Sequence, residues 1–318
     1  MRLTITLQRF NPERDATPHD EEVRLDVRRG STVLDLLIRI KHELDGSLAL
    51  RYSCRSAICG SCAMHINGGA KLACRTSVRK ELERHGRLRI APLDHLPVIK
   101  DLVVDMRPFW GKIRDITPWL STSMTVPTVR AVAHDPGSGY HNVDACIMCG
   151  ACVAACTVHE VSPGFAGPAA LAKMDRFLSD PREPEKLKRA RLAVLQEANW
   201  MWDCTRCNYC VEVCPKDVKP MEAIIRLRRA SLDRGLASTG GARHIAGFVS
   251  IIEQQGRLNE ALMPLKVVGW DVSRFLRILP LGVRMFFKGK VPNPLAHRIP
   301  GLAQVQAIFQ RARRPTAL

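Results

Sequence analysis

The stretch that decides the fold is CRSAICGSC at residues 54–62, which is followed by a fourth cysteine at residue 74. Its spacing, C-x4-C-x2-C-x11-C, is the plant-type [2Fe–2S] spacing. Iron in a sulfide cluster needs soft thiolate ligands, and a short loop of three cysteines can wrap one face of a cluster. Gly60 permits close backbone approach, so that backbone N–H groups can bond the sulfurs. The predicted ligands of a [2Fe–2S] cluster are therefore Cys54, Cys59, Cys62 and Cys74.

The sequence on both sides of this loop predicts a small sheet with one helix. Strand-like runs lie at residues 2–10, 22–27 and 88–91. Thr32 and Asp35 form a Thr-x-x-Asp pattern that opens a helix, and Asn67-Gly68 is typical of a hairpin turn. Strands and a helix around a cysteine loop indicate a β-grasp [2Fe–2S] ferredoxin domain over residues 1–103.

A second cysteine pattern occurs twice, as CIMCGACVAAC at residues 146–156 and as CTRCNYCVEVC at residues 204–214. Both copies have the bacterial-type spacing C-x2-C-x2-C-x3-C, in which the fourth cysteine of each run ligates the other cluster. The predicted ligands of one [4Fe–4S] cluster are Cys146, Cys149, Cys152 and Cys214. Those of the third cluster are Cys156, Cys204, Cys207 and Cys210. We expect this third cluster to be [4Fe–4S]; a [3Fe–4S] cluster on Cys156, Cys204 and Cys210 is the alternative if Cys207 is not a ligand.

The chain beyond the first domain reads as helical, so the fold class is α+β. Pro168 and Pro220 are suited to the first positions of helices, and Gly235 can close the second of them. We expect an α-helical ferredoxin domain with two cubane-type clusters over residues 104–237. Residues 238–318 contain no cysteine and predict a helical extension for partner or membrane docking. Between residues 261 and 290 this extension carries one acid, Asp271, against six basic residues with large apolar residues interleaved: Lys266, Arg274, Arg277, Arg284, Lys288 and Lys290.

Composition narrows the function classes. All twelve cysteines fall in the three groups, which favours metal ligation over disulfides. Zinc is the alternative metal, but zinc sites favour paired C-x2-C units and the first spacing is x4. The formal net charge of +17 permits a basic nucleic-acid module, although aromatic residues are few for base stacking. No dinucleotide or P-loop fingerprint is present, and no catalytic constellation stands out. His159, Trp200 and Trp202 are interpreted as structural, and Arg55 as exposed or as a residue that tunes the first cluster.

The cysteine motifs resemble those of the iron–sulfur subunits of succinate dehydrogenases and fumarate reductases. The resemblance rests on SCRSAICGSCAMHINGG with the later LAC, on PVIKDLVVDM at residues 97–106, and on CIMCGAC and CVEVCPK. It covers about residues 1–237. It implies a FAD-containing flavoprotein subunit as partner, and electron transfer from that subunit through the three clusters in order to a quinone or another acceptor.

Three departures from the family pattern stand out. Most members lack a cysteine at the position of Cys207 and hold a [3Fe–4S] cluster there. Thr157 stands where a proline is usual, Thr205 where a histidine is usual, and the tryptophan of the usual quinone pocket has no counterpart. Residues 238–318 extend past the typical subunit, and HIAGFVSIIEQQGRLNEAL and LPLGVRMFFKGKVP resemble tails of heterodisulfide-reductase C-type subunits.

These resemblances imply a non-typical form of the family whose acceptor is a membrane anchor or a cysteine-rich, CCG-motif subunit. A heterodisulfide-reductase-like or thiol-linked fumarate reductase subunit is the alternative function. The N-terminus shows no signal-peptide pattern, and no apolar run is long enough to span a membrane. The expected location is peripheral, on the cytoplasmic side of a prokaryotic inner or plasma membrane.

Overall fold

The computed structural model of the chain describes residues 2–120, 142–180, 182–236, 238–269, 272–291 and 298–313. Of the tail residues considered above, Asp271 lies outside the described residues. The chain divides into two compact units, Met1–Leu227 and Arg228–Leu318. All twelve cysteines belong to the first unit.

The first unit begins with a five-stranded mixed sheet. The strands of this part of the chain are β1 (Arg2–Arg9), β2 (His19–Asp26), β3 (Ala63–Ile66), β4 (Gly69–Leu72), β5 (Arg89–Ala91), β6 (Val98–Lys100) and β7 (Val103–Val104). The sheet order is β2-β1-β5-β3-β4, with β1 parallel to β5 and the other pairs antiparallel; β6 and β7 form a separate pair. This arrangement confirms the predicted ferredoxin-type sheet.

Local sequence signals explain the ends of these elements. Helix α1 (Val33–Arg39) starts at Thr32, whose side chain accepts from the Asp35 N–H while the Asp35 carboxylate accepts from the Thr32 N–H. A short π-helical turn, Ile40–Leu44, continues it. Asn67 and Gly68 both have positive φ, as the two-residue hairpin between β3 and β4 requires. Helix α2 (Val78–His85) ends at Gly86 in the left-handed conformation.

The core of the sheet domain is apolar and fully packed. Its largest buried side chains come from β1, α1 and the central strands, and include Ile5, Leu7, Leu37, Met64 and Ile90. Cys62 is buried in this core, while Cys74, Ile147 and Cys149 pack against it. The core therefore packs against the first cysteine loop and also against the cysteine run at residues 146–156.

The described residues that follow the sheet in the first unit are mainly helical. Their helices are α3 (Arg107–Asp115), α4 (Ala151–Ala154), α5 (Thr157–Val161), α6 (Pro168–Leu178), α7 (Glu185–Val194), α8 (Tyr209–Glu212) and α9 (Pro220–Asp233), the last of which crosses the boundary into the second unit. Pro168 and Pro220 each open a helix, as predicted from the sequence. Helices α4 and α8 pack against each other, and α6 packs against α3, α4 and α7.

The second unit is helical in its described residues. It contains the end of α9 and the helices α10 (Gly240–Gln255), α11 (Met263–Val268), α12 (Val272–Phe287) and α13 (Leu302–Arg313). Helix α10 packs against α11 and α13. Within the described ranges, none of the helices combines the length and apolar character needed to cross a bilayer.

Candidate iron–sulfur site

The first cysteine loop turns its backbone amides toward a sulfur. The N–H groups of Ser56, Ile58 and Cys59 all donate to Cys54 Sγ at 3.3 Å. The φ angle is positive at Arg55, Ala57 and Gly60. These angles curl the loop so that successive N–H groups face inward. N–H donors of this kind stabilise thiolate sulfur and tune cluster potential. The expected bonding of backbone amides to the loop sulfurs is thus present at Cys54.

The thiols of this first group lie in contrasting surroundings. Cys59 is exposed, and the Ser61 hydroxyl together with a donor from Cys54 lowers its pKa to about 6. Burial raises the pKa of Cys62 to about 12; the Cys74 backbone opposes this shift, and the Cys74 thiol adds to it. A bound cation would favour the thiolate form at both positions, because it offsets the cost of burying negative charge.

The two later cysteine runs repeat each other in conformation as well as in sequence. Met148 and Gly150 have positive φ in the first run, and Arg206 and Asn208 have positive φ at the equivalent places in the second. Gly150 and Asn208 each precede a four-residue helix, α4 or α8. The backbone therefore wraps both runs around their sulfurs in the same way.

The first of the two predicted cubane groups is brought together around one cavity. That cavity is lined by Cys146, Cys149, Cys152 and Cys214, together with apolar side chains. The Val218 N–H donates to Cys214 Sγ at 3.4 Å. Burial raises the pKa of Cys149 to about 11 and that of Cys152 well above its usual range, and the neighbouring thiols add to both shifts. Cys214, from the second run, thus lies with three cysteines of the first.

The second predicted cubane group is also assembled across the two runs. The charges of Cys156, Cys204, Cys207 and Cys210 interact with one another, and burial raises the pKa of Cys210 to about 12. Cys207 is the exposed member of this group. Burial works against its ionisation, but the Tyr209 backbone N–H and the hydroxyls of Thr157 and Thr205 outweigh burial and lower the pKa of Cys207. Thr157 Oγ1 lies 3.7 Å from Cys207 Sγ.

The first loop touches the second cysteine group at Gly60. A Cβ atom added to Gly60 would lie 2.8 Å from the Ile147 carbonyl oxygen and 2.9 Å from Cys149 Cβ. Only glycine allows this approach, and its φ of +75° is a second reason for glycine there. Arg75 adds a further contact between the sheet domain and the helical part of the first unit, since its Nη1 donates to the Pro215 carbonyl at 2.9 Å.

The three cysteine groups have the ligand chemistry that iron–sulfur clusters require. Each group offers four soft sulfur ligands, and backbone or hydroxyl donors face at least one sulfur of each group. Among the described residues, no three His, Cys, Asp or Glu side chains come close enough to share a single metal ion. The ligands of a multi-iron cluster bind different irons, so they do not need to meet at one point.

Three other residues singled out in the sequence have structural surroundings. His159 is 9% exposed, stacks on His95 and lies against Phe165. Burial, together with His95 and Lys112, lowers the pKa of His159 to about 4. Trp202 donates from Nε1 to Gln196 Oε1 at 3.0 Å. Arg55 is exposed, with its guanidinium 5.5 Å from the centre of the Tyr52 ring.

Sequence reasoning did not find the partnership of Thr157 and Thr205 with Cys207. Both threonines stood out as departures from the family pattern. The signal that could have connected them was available, since Thr157 follows Cys156 and Thr205 follows Cys204, two cysteines predicted to share one cluster.

Comparisons with known proteins agree with this geometry. Residues 4–111 match the family of 2Fe-2S iron-sulfur cluster binding domains, and residues 142–218 match the 4Fe-4S dicluster domain family. The fumarate reductase iron-sulfur subunit of Haemophilus influenzae is 36% identical over 236 residues, covering 70% of this chain and 90% of that protein. The subunit of the same name from Escherichia coli is 38% identical over 224 residues, with the same coverage.

A solved structure is also similar. A chain of the Mycobacterium smegmatis Sdh1 complex in the apo form gives a TM-score of 0.61 at 26% sequence identity, covering 73% of this chain and 96% of that chain. The matches cover 90% or more of the length of these three proteins. This chain belongs to the family of electron-transfer iron–sulfur subunits of fumarate reductase and succinate dehydrogenase complexes, which are oxidoreductases.

Proposed function

We propose that this chain carries electrons between a FAD-containing flavoprotein subunit and an acceptor subunit, and that it holds one [2Fe–2S] and two [4Fe–4S] clusters. The observation that carries the proposal is the cavity lined by Cys146, Cys149, Cys152 and Cys214, where a cysteine of the later run lies with three of the earlier run. When bound, the clusters supply the one-electron redox centres. The chain itself provides the ligands, the hydrogen bonds to sulfur and the close packing of one group against the next.

The proposed ligands of the [2Fe–2S] cluster are Cys54, Cys59, Cys62 and Cys74. Those of the first [4Fe–4S] cluster are Cys146, Cys149, Cys152 and Cys214, and those of the third cluster are Cys156, Cys204, Cys207 and Cys210. Support comes from the cavity that the second set lines and from the mutual interaction of the third set. Each cubane set draws one cysteine from the opposite run, which ties the two runs together.

The proposed [4Fe–4S] identity of the third cluster depends on Cys207. An iron without a protein ligand is easily lost from a cubane, and a thiolate at this position should retain it. The hydroxyl of Thr157 and the backbone of Tyr209 favour the thiolate form of Cys207, which is the form that binds iron. A cysteine that was merely buried beside a cluster would not need these donors.

Iron analysis and EPR test the cofactor content. The anaerobically purified chain should contain about ten irons, from 2 + 4 + 4, and its oxidised form should be nearly EPR-silent. Cys207→Ser should bring out a [3Fe–4S] signal, whereas Thr205→Ser, which keeps a hydroxyl, should not. Stoichiometric zinc with little iron would refute the whole proposal, while a strong [3Fe–4S] signal in the fresh native protein would refute only the role of Cys207.

The proposed acceptor is a membrane anchor or a cysteine-rich, CCG-motif subunit, with quinone reached indirectly. We propose that the complex lies on the cytoplasmic side of a prokaryotic membrane. That quinone is reached indirectly is supported by Thr157 and Thr205, which replace the usual proline and histidine and hydrogen-bond to Cys207. Mass spectrometry of the native complex purified through a tag on this chain should identify a flavoprotein and one of the two acceptor types.

We propose that the chain has three parts, at residues 1–103, 104–237 and 238–318. The matched domain families, at residues 4–111 and 142–218, support the first two parts. The isolated chain should neither oxidise succinate nor reduce fumarate, because it has no flavin fingerprint.

A further inference from the structure

Helix α12 presents an apolar face that its own unit does not cover. Every α12 side chain that the structure describes is exposed except Met285, which is half-buried. The exposed fractions reach 58% at Leu276, 69% at Phe286 and 82% at Phe287. A run of large apolar side chains in water is costly, so this face has an occupant in the working protein.

The apolar and basic residues of α12 segregate around the helix axis. At 3.6 residues per turn, the large apolar positions span an arc of roughly 200°. This arc contains Val272, Phe275, Leu276, Ile278, Leu279, Val283, Met285, Phe286 and Phe287. Arg277 and Arg284 lie in the remaining arc, about 20° apart, and Leu281 lies in the same arc beyond Arg277. Lys288 and Lys290 follow the helix directly.

The charge pattern distinguishes the possible occupants. No acidic residue occurs between residues 272 and 291. A second copy of this helix would bring like charges together along the contact between the two helices. A helix that packs on one protein surface typically has an apolar stripe of about 100° or somewhat more, and the arc here is wider than that. A bilayer surface matches a wide apolar face flanked by basic side chains, since acyl chains take the apolar face and anionic headgroups take the basic one.

We infer that α12 lies in the headgroup region of an anionic lipid bilayer, with its apolar face among the acyl chains and with Arg277, Arg284, Lys288 and Lys290 at the lipid phosphates. The helix lies along the surface rather than across it, because sixteen residues rising 1.5 Å each are too short for a span. This inference stands independently of the cluster content of the first unit.

Vesicle sedimentation of the full, cluster-loaded chain tests the inference. The protein should bind vesicles of phosphatidylcholine and phosphatidylglycerol in equal parts, bind pure phosphatidylcholine at least about tenfold more weakly, and dissociate as salt rises. Leu279→Glu with Phe286→Glu should abolish binding, because it places charge on the apolar face. Arg277→Glu with Arg284→Glu should weaken binding by at least about tenfold.

Two matched controls separate lipid binding from general effects. Arg277→Lys with Arg284→Lys keeps the charge and should keep binding. Lys186→Glu with Arg189→Glu makes the same charge change on the exposed surface of α7 and should leave binding unchanged. The visible spectrum of the clusters and the helical circular dichroism verify that each variant is folded.

Three results would overturn the inference. Failure of the full chain to bind either vesicle type would assign the face to a protein. Equal binding to neutral and anionic vesicles would remove the role of the basic residues. A dimer in solution that the apolar-face variant dissociates, without vesicle binding, would assign the face to a second copy of this chain.

Discussion

At the scale of single residues, Gly60 determines how closely the first cysteine group approaches the second. We expect Gly60→Ala to separate the two loops, because its Cβ would overlap the Ile147 carbonyl and Cys149. Electron transfer between centres slows steeply with distance, so reduction of the cubane clusters through the [2Fe–2S] cluster should slow while the cluster potentials stay nearly constant. Stopped-flow absorbance and EPR redox titration measure the two quantities separately.

Gly86→Ala is the matched control for Gly60→Ala. Gly86 has a φ of +66°, close to that of Gly60, and an added Cβ would meet nothing within 4 Å. Both variants should lose about 1–2 kcal/mol of stability from backbone strain. Equal electron-transfer rates in the two variants would mean that the contact at Gly60 does not set the separation.

Thr157 offers a second residue-scale prediction. Its hydroxyl donates to Cys207 Sγ, and a hydrogen bond to cluster sulfur stabilises the reduced, more negative state. Thr157→Val should therefore lower the potential of the third cluster by about 20–60 mV, which corresponds to a hydrogen bond of about 0.5–1.5 kcal/mol. Thr157→Ser should restore most of the native potential in an EPR titration. A potential unaffected by Thr157→Val would argue against the bond.

Residue spacing alone is enough to predict the cysteine grouping, because the geometry of a cluster constrains the spacing of its ligands. The hydroxyl partners of Cys207 could not be predicted in the same way. Thr157 and Cys207 are 50 positions apart, and only the packing of the two runs brings them together. The contact of Gly60 with Cys149 likewise depends on how one loop docks on another.

At the scale of elements, Asp101 connects the segment before β7 to the start of the chain. Its buried carboxylate accepts from Arg9 Nε at 3.0 Å, from the Phe10 N–H at 3.1 Å and from the Ala49 N–H at 2.8 Å. All the partners of the Asp101 carboxylate are donors. The N–H group of an amide side chain at this position would therefore face another N–H group. The residue belongs to PVIKDLVVDM, which leads from the sheet into α3.

We expect Asp101→Asn to lower the free energy of unfolding by about 2–4 kcal/mol, since it removes the most buried of the three carboxylates that pair with Arg9 and turns an amide N–H group toward a buried donor. Asn tolerates the left-handed backbone that Asp101 adopts, so strain does not confuse the result. Urea titration followed by circular dichroism measures the loss. The control is Asp20→Ala, which breaks an exposed pair with Arg89 and should cost at most about 1 kcal/mol. A similar loss in both variants would contradict the assigned role of Asp101.

Elements defined by local signals were predictable. The capping residues Thr32 and Asp35, the Asn67-Gly68 turn and the opening prolines of α6 and α9 act within a few residues of where they stand. The parallel pairing of β1 with β5 was not, because the partners Thr6 and Arg89 are far apart in sequence and the pairing depends on the whole sheet. The π-helical turn after α1 also lacked a sequence signal.

At the scale of the whole molecule, the first and third cysteine groups differ from the second group in solvent exposure. Cys59 and Cys207 are the exposed members of the first and third groups, while the second group surrounds an internal cavity. Exposure in the first and third groups suits a chain that receives electrons from one partner and delivers them to another.

The last prediction concerns removal of iron. Because each proposed cubane set takes three cysteines from one run and one from the other, iron binding should contribute directly to folding of the helical part. Cys146 and Cys214 also pack against a buried cluster of Val143, Ala172, Val218 and Ala223, so losing the metal would loosen apolar packing as well. The sheet has a large apolar core of its own and depends less on metal.

Hydrogen exchange with mass spectrometry should therefore separate the two parts after anaerobic chelation of iron. Amides of residues 142–227 should lose protection strongly, whereas those of β1 and β5 should keep most of theirs, and reconstitution with iron and sulfide should reverse the loss. The contrast follows from the position of the ligands: in the sheet domain, three cysteines lie in one loop on a packed core, while in the helical part the ligands themselves join two distant segments. Equal loss in both parts would mean that the sheet core is not independently stable, and unchanged protection in residues 142–227 would refute the coupling of iron to folding.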